Sequence, residues 1–177
     1  MLRQTFVLFA ALLLCGIVQA HGPSRQKVTE TIVVDAPAAT VWAIVADFCA
    51  IATWHPGVVK CTGDGGNEPG ASRVLTIGED GGPEIHEELL NYDAAGMTYK
   101  YKVAKTDMAI LPVTTYSSFL TVKDNGDGTS TVEWRAGFYR GHPNNNPPPE
   151  LNDEAAVSAV TGSYTAGLAE IKRLAEL

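Results

Sequence analysis

The chain is poor in the residues that build metal and redox centres: of its 177 residues, three are cysteine, four histidine and three methionine. No Cys-x-x-Cys occurs, which leaves a zinc ribbon, a thioredoxin-type dithiol and covalent haem attachment without support. There is no Gly-rich phosphate loop and no His-Glu-x-x-His. Asp124 to Glu133 superficially follows a calcium loop, but Gly126 stands where the loop needs an acidic or amide ligand. Gly162-Ser163-Tyr164-Thr165 lacks the second glycine of a nucleophile elbow. Positive charge is also scarce. Thirteen Lys and Arg face twenty Asp and Glu, for a formal net charge of −7. Such a surface repels nucleic-acid phosphates and anionic membranes, and it suits a basic protein partner. The longest apolar run, Thr5 to Val18, is shorter than the roughly 20 residues that span a bilayer, so no membrane span is expected.

That run has another reading. Arg3 precedes it, and Val18-Gln19-Ala20 ends it with small residues where signal peptidase cuts. Residues 1–20 therefore read as a cleavable signal, with 21–177 as one exported domain. A lipoprotein at Cys15-Gly16 is opposed by the bulk of Leu14. Losing Arg3 takes the charge from −7 to −8. Two cysteines remain, Cys49 and Cys61. An oxidising compartment allows them to pair, and two buried thiols are the alternative. His21 becomes the new terminus. Its amine and imidazole can chelate copper, but no second histidine lies near in sequence, and a flexible terminal residue is the expected reading.

Within the mature chain, Val28 to Val34 alternates as a strand. Asp35 is placed to cap a helix through Val41, Trp42, Ile44, Val45 and Phe48. A second short helix through Ile51 and Trp54 ends at His55-Pro56-Gly57. Six further strands follow: Val58 to Thr62, Ser72 to Ile77, Glu84 to Tyr92, Thr98 to Lys105, Val113 to Lys123 and Ser130 to Phe138. Gly- and Asp-rich turns separate them as antiparallel hairpins. After a Pro- and Asn-rich loop, Asn152 or Asp153 caps a long helix. Val157, Val160, Tyr164, Leu168, Ile171 and Leu174 form its apolar stripe.

Strand, two helices, six strands and a long helix is the order of the START-like, or helix-grip, superfamily. This is an α+β fold whose curved antiparallel sheet of about seven strands wraps a C-terminal helix. Polyketide cyclases are relatives. Val41-Trp42-Ala43-Ile44-Val45-Ala46-Asp47-Phe48 with Trp54-His55-Pro56 resembles its opening signature. His21-Gly22-Pro23, Leu111-Pro112-Val113, Tyr116-Ser117-Ser118, and Phe138-Tyr139-Arg140-Gly141 running through Asn144-Asn145-Asn146-Pro147-Pro148-Pro149 to Val157 resemble the MxaD family. Its members are periplasmic accessory proteins of methanol oxidation. The resemblance implies a non-catalytic partner of methanol dehydrogenase and its cytochrome c acceptor, without a cofactor of its own.

The residues themselves suggest a pocket. Trp54, Tyr99, Tyr101, Tyr116, Phe119, Trp134, Tyr139 and Tyr164 can line an apolar cavity with hydroxyls for orientation, or fill a plain core. His55 can hold a polar group at the cavity mouth, or close its helix on backbone. Alternation sends Glu87 to the opposite face from His86 and Glu88, so this strand either turns a carboxylate inward, where it could act as acid or base, or is an exposed edge, which is the preferred reading. Met108, Ile110 and Leu111 form an apolar stretch suited to a cavity lip or a docking patch, and Asn144, Asn145 and Asn146 are further docking candidates. Three functions follow in order: the methanol-oxidation accessory, a carrier of a small hydrophobic or quinone-like ligand, and, with least support, a cyclase or hydrolase.

Overall fold

The computed structural model describes residues 22–64 and 66–177. Residues 1–20, expected to be a signal, and His21, expected to be the new terminus, lie outside these residues, as does Cys15. Seven strands form one antiparallel sheet: β1 (Gln26–Val34), β2 (Val58–Gly63), β3 (Ser72–Ile77), β4 (Glu84–Asp93), β5 (Thr98–Lys105), β6 (Val113–Asp124) and β7 (Ser130–Arg140). Their order across the sheet is β1-β7-β6-β5-β4-β3-β2. The helices α1 (Ala38–Val45) and α2 (Ile51–Trp54) fill the crossing from β1 to β2, and α3 (Asp153–Ala175) lies against the sheet's inner face. This is the helix-grip architecture expected from the element order.

Side-chain alternation decides which face each strand buries. Along β7, Val132, Trp134, Ala136 and Phe138 point inward. On β6, Val113 and Tyr116 are both buried although they stand three residues apart. A β-bulge between Thr114 and Ser117 supplies the extra residue, and Thr115 within it has φ of 49°. The bulge shifts the phase of the strand and turns Tyr116 to the inner face.

Asn152 caps α3 by accepting a hydrogen bond from the Ala155 N–H at 2.8 Å. Asp153 and Glu154 in the first turn and Lys172 and Arg173 in the last complement the helix dipole. The expectation that Asp35 caps α1 is corrected. Pro37 occupies the cap position, with no side-chain cap. The Asp35 backbone N–H instead donates to Glu176 at 2.7 Å, and Lys172 Nζ donates to the Val33 carbonyl at 2.8 Å. The end of β1 is thereby tied to the last turn of α3.

Cys49 and Cys61 are joined by a disulfide, with Cα atoms 5.7 Å apart. It pins the α1–α2 connection to edge strand β2 across a sequence separation of 12. Closing a loop of that length contributes about 3 kcal/mol through the unfolded state. Reduction by dithiothreitol is expected to lower the melting temperature measurably, and an unchanged melt under full reduction would show that the bond contributes little.

Two glycines of α3 differ in their surroundings. A Cβ on Gly162 meets nothing within 4 Å, whereas one on Gly167 falls 2.8 Å from both His55 Cδ2 and Trp134 Cζ3. Gly162→Ala is expected to stabilise by up to about 1 kcal/mol through helix propensity. Gly167→Ala makes the same local gain but forces two buried rings aside, a cost of about 1–3 kcal/mol. Urea melts of the two variants should therefore move in opposite directions.

Candidate functional site

Between α3, α2 and the inner sheet face lies a cavity of about 280 Å³. Ile51, Val58, Leu75, Ile77, Ile85 and Val160 supply its apolar walls. Polar groups gather in it as well: His55, Glu87, Tyr101, Tyr116, Ser163 and Tyr164, with Trp134 beside them.

The hydroxyls are linked to one another. Trp134 Nε1 donates to Tyr101 OH at 3.0 Å and to Ser118 Oγ at 3.1 Å. Ser118 Oγ is 2.6 Å from Tyr164 OH and donates to the Arg135 carbonyl at 3.0 Å. Tyr164 OH is also hydrogen-bonded to Tyr116 OH. The Tyr164 ring stacks on Trp134 with centroids 4.2 Å apart and planes within 10°. Burial pushes the Tyr116 hydroxyl up to about 12 and those of Tyr99, Tyr101 and Tyr164 well above the usual tyrosine value. All four remain protonated at any physiological pH.

His55 follows α2 and faces α3. Its Nδ1 accepts from the Gly57 N–H at 3.1 Å, and Nε2 lies 3.1 Å from the Ser163 carbonyl and 3.2 Å from Ser163 Oγ. The residue closes its helix on backbone and lines the cavity at once. Burial lowers its pKa below 6.5, against the raising effect of the Ser163 hydrogen bond. A histidine held neutral in the fold but charged when unfolded makes the unfolded state bind more protons in acid. Stability is then present above the ordinary histidine pKa and is lost as pH falls from about 6.5 toward the lowered folded value. Thermal melts of His55→Gln should lack this loss between pH 7.5 and 5.5, relative to the unsubstituted protein.

Glu87 points into the interior from β4, which is an internal strand of the sheet. The exposed-edge reading is therefore corrected. Arg73 of β3, only 1% exposed, reaches Glu87 Oε2 through Nε at 2.6 Å and Nη2 at 2.6 Å. Its Nη1 donates to the Phe48 carbonyl, and its guanidinium lies 3.9 Å from the Phe48 ring centroid. Burial raises the Glu87 pKa despite the adjacent Arg73; burial also pulls the Arg73 pKa down, and Glu87 together with Tyr99 and Tyr101 more than offsets it, so Arg73 stays charged. Sequence reasoning missed Arg73. The signal existed: Arg73 shares its face with Ala71 and Leu75, just as Glu87 shares its face with Ile85 and Leu89. Ser118 and Ser163 were also missed, because a serine among apolar residues carries no pattern of its own.

The other candidates separate. Phe119 and Tyr139 stand on the outer face of the sheet and line no part of the cavity, which corrects their expected role. Phe119 lies under Arg135 and Lys100, whose cationic atoms are 4.0 and 5.2 Å from its ring centroid. Tyr99 is buried beside Trp42 and Phe48, and Trp54 packs behind Trp134 with centroids 5.6 Å apart; both are core outside the cavity lining. Ile110 and Leu111 line the cavity, whereas Met108 faces a neighbouring surface depression. Asn144, Asn145 and Asn146 are exposed, with the Asn144 carbonyl accepting from Arg140 Nη2 at 3.0 Å. Among the described residues no group of three or more His, Cys, Asp or Glu side chains is placed to hold a metal ion, and no helix is long and apolar enough to cross a membrane.

Residues 25–176 match the family model described as polyketide cyclase/dehydrase and lipid transport. The chain belongs to this family. A protein of Thermobifida fusca solved by solution NMR is 30% identical, with 84% of this chain and 92% of that chain covered and a TM-score of 0.68. The ZhuI aromatase/cyclase of Streptomyces sp. R1128 shares 18% identity over 86% of this chain and 94% of its own, with a TM-score of 0.68. Norcoclaurine synthase of Thalictrum flavum, in complex with dopamine and hydroxybenzaldehyde, is 18% identical over 97% of this chain and 96% of its own, with a TM-score of 0.63. The last two show the shared fold. No curated protein matches the sequence.

Proposed function

We propose that this family member binds a small, mainly apolar ligand in the cavity between α3 and the sheet. One observation carries the reading: a cavity of about 280 Å³ is left open amid aliphatic walls and a cluster of tyrosine hydroxyls. A cavity of about 150 Å³ already holds benzene. The space here suits a one- or two-ring compound. A cyclase or hydrolase reading gains no support, since His55 bonds serine and backbone rather than a buried carboxylate, and His86 lies 3.4 Å from Glu84 at the surface. The test is native mass spectrometry of protein taken gently from its host, beside calorimetric titration with one- and two-ring compounds. A small-molecule adduct or saturable binding is expected. A bare mass together with no binding by any compound would overturn the reading.

The reading includes export to the periplasm, which the Cys49–Cys61 disulfide supports because such bonds persist in oxidising compartments. A second reading, the accessory of methanol dehydrogenase and its cytochrome c, rests on the MxaD resemblance and on one surface. The outer sheet face carries Arg25, Lys27, Lys100, Lys102, Lys123 and Arg135. Against them stand Glu84, Glu88, Asp93 and Glu133, with Glu88 paired with Lys102 and Glu133 with Lys123 and Arg135. This face favours an acidic partner, whereas the net charge alone favours a basic one. Deletion of the gene should slow methanol-dependent respiration and spare dye-linked dehydrogenase activity; unchanged respiration would overturn this second reading.

A further inference from the structure

Three of the hydroxyl protons around the cavity are already committed to the protein, which leaves their oxygens as acceptors. A carbonyl cannot donate, so the Ser118 proton goes to the Arg135 carbonyl at 3.0 Å. Indole nitrogen can only donate, so Trp134 Nε1 supplies Ser118 and Tyr101. With the Ser118 proton spent, its 2.6 Å contact with Tyr164 must carry the Tyr164 proton. With that proton spent, the contact between Tyr116 and Tyr164 must carry the proton of Tyr116. Three hydroxyl protons thus run one way, out of the cavity and into the sheet. Tyr116 and Tyr164 offer the cavity lone pairs alone.

The remaining groups follow the same pattern. Gly57 donates to His55 Nδ1, which places the imidazole proton on Nε2, directed at Ser163. Both Arg73 contacts with Glu87 fall on Oε2, so Oε1 has no donor among the described residues. The charge of Arg73 is met by Glu87, its Nε and Nη1 donate to Glu87 and the Phe48 carbonyl, and its Nη2 is ion-paired with Glu87 without a hydrogen bond of its own. Two hydroxyls, Tyr101, which accepts from Trp134, and Ser163, whose oxygen faces the His55 Nε2 proton, have protons without a described acceptor.

We propose that the cavity is specific for neutral ring compounds bearing a hydroxyl, phenols or alicyclic alcohols, and discriminates against carboxylates and ethers of the same shape. The inference rests on the ligand-binding reading above and adds the polarity of the ligand. A hydroxyl can donate to Glu87 Oε1 or the Tyr116 oxygen while accepting from Tyr101. An ether leaves those acceptors unmatched, and a carboxylate sets a second negative charge beside Glu87 with no counter-ion. Sites built to pair with a ligand hydroxyl reject analogues lacking it, because buried polar groups are then left without partners.

Isothermal titration of the protein at pH 7 with 2-naphthol, 2-methoxynaphthalene and 2-naphthoate tests this without any substitution. All three share one bicyclic frame. The expected result is that 2-naphthol binds at least about tenfold more tightly than the methyl ether, with no measurable binding of the carboxylate. Equal or tighter binding of the ether or the carboxylate would overturn the proposed polarity and leave the binding reading standing. Absence of binding by all three, and by naphthalene itself, would overturn both.

Discussion

Arg73→Met is expected to destabilise the fold by about 3–5 kcal/mol, because it strands a buried carboxylate without its cation. Both partners of the pair are removed from water, with Arg73 at 1% and Glu87 at 6% exposure. Neither can be rescued by solvent when the other is lost. The double variant Arg73→Met, Glu87→Met should recover most of the loss, since two apolar side chains of similar length need no counter-charge. The single variant should also acquire a pH dependence of defined sign. Burial already raises the Glu87 pKa above 4.5 with Arg73 present, and removing Arg73 takes away the opposing effect. A carboxyl whose folded pKa is raised contributes full stability below its ordinary value and loses it as pH rises toward the folded value. Urea melts of Arg73→Met at pH 5 and pH 8 should therefore show the lower stability at pH 8. A loss below about 1 kcal/mol, or a flat pH response, would show that the pair is solvated in solution.

Trp134→Ala is the second large effect, also about 3–5 kcal/mol. The indole stacks on Tyr164, meets Trp54 and His55 edge-on, and supplies the N–H on which Tyr101 and Ser118 depend. Its removal joins a new void to the existing cavity. Stability should fall, and the enlarged space should accept bulkier ring compounds. A three-ring hydrocarbon such as phenanthrene is expected to raise the melting temperature of the variant while leaving the unsubstituted protein unmoved. A variant that melts normally, or that gains nothing from the larger compound, would show that the surrounding helices collapse into the space.

Several elements were legible before any coordinates. The strands Ser72–Ile77 and Thr98–Lys105 run as the alternation predicts, and the other strands differ from expectation by a few residues at their ends. Asn152 was recognised as one of two caps for α3, since an amide before an acidic first turn has one obvious local use. Asp35 carries the same local signal and does not cap, because α1 begins at Ala38 with Pro37 at the cap position, two residues beyond it; its backbone N–H is bound by Glu176 instead. Residue type alone groups Phe119 and Tyr139 with the cavity aromatics. Alternation from the buried Leu120 and Phe138 already sends both outward.

Local sequence pattern carries whatever short-range physics decides. Periodicity selected helix or strand, glycine- and aspartate-rich segments placed the turns, and the order of elements selected a sheet wrapped on a C-terminal helix. The site required long-range pairing. Tyr116 faces inward because a bulge inserts one residue in β6, and Glu87 is acceptable inside because the next strand brings Arg73 to it. The hydroxyl cluster joins β5, β6, β7 and α3, whose residues meet only after the sheet has curved around the helix. The volume left open among those side chains is a small difference between large packed volumes. It depends on where Gly167 lets α3 approach Trp134 and His55, so it is settled by tertiary packing rather than by any local pattern.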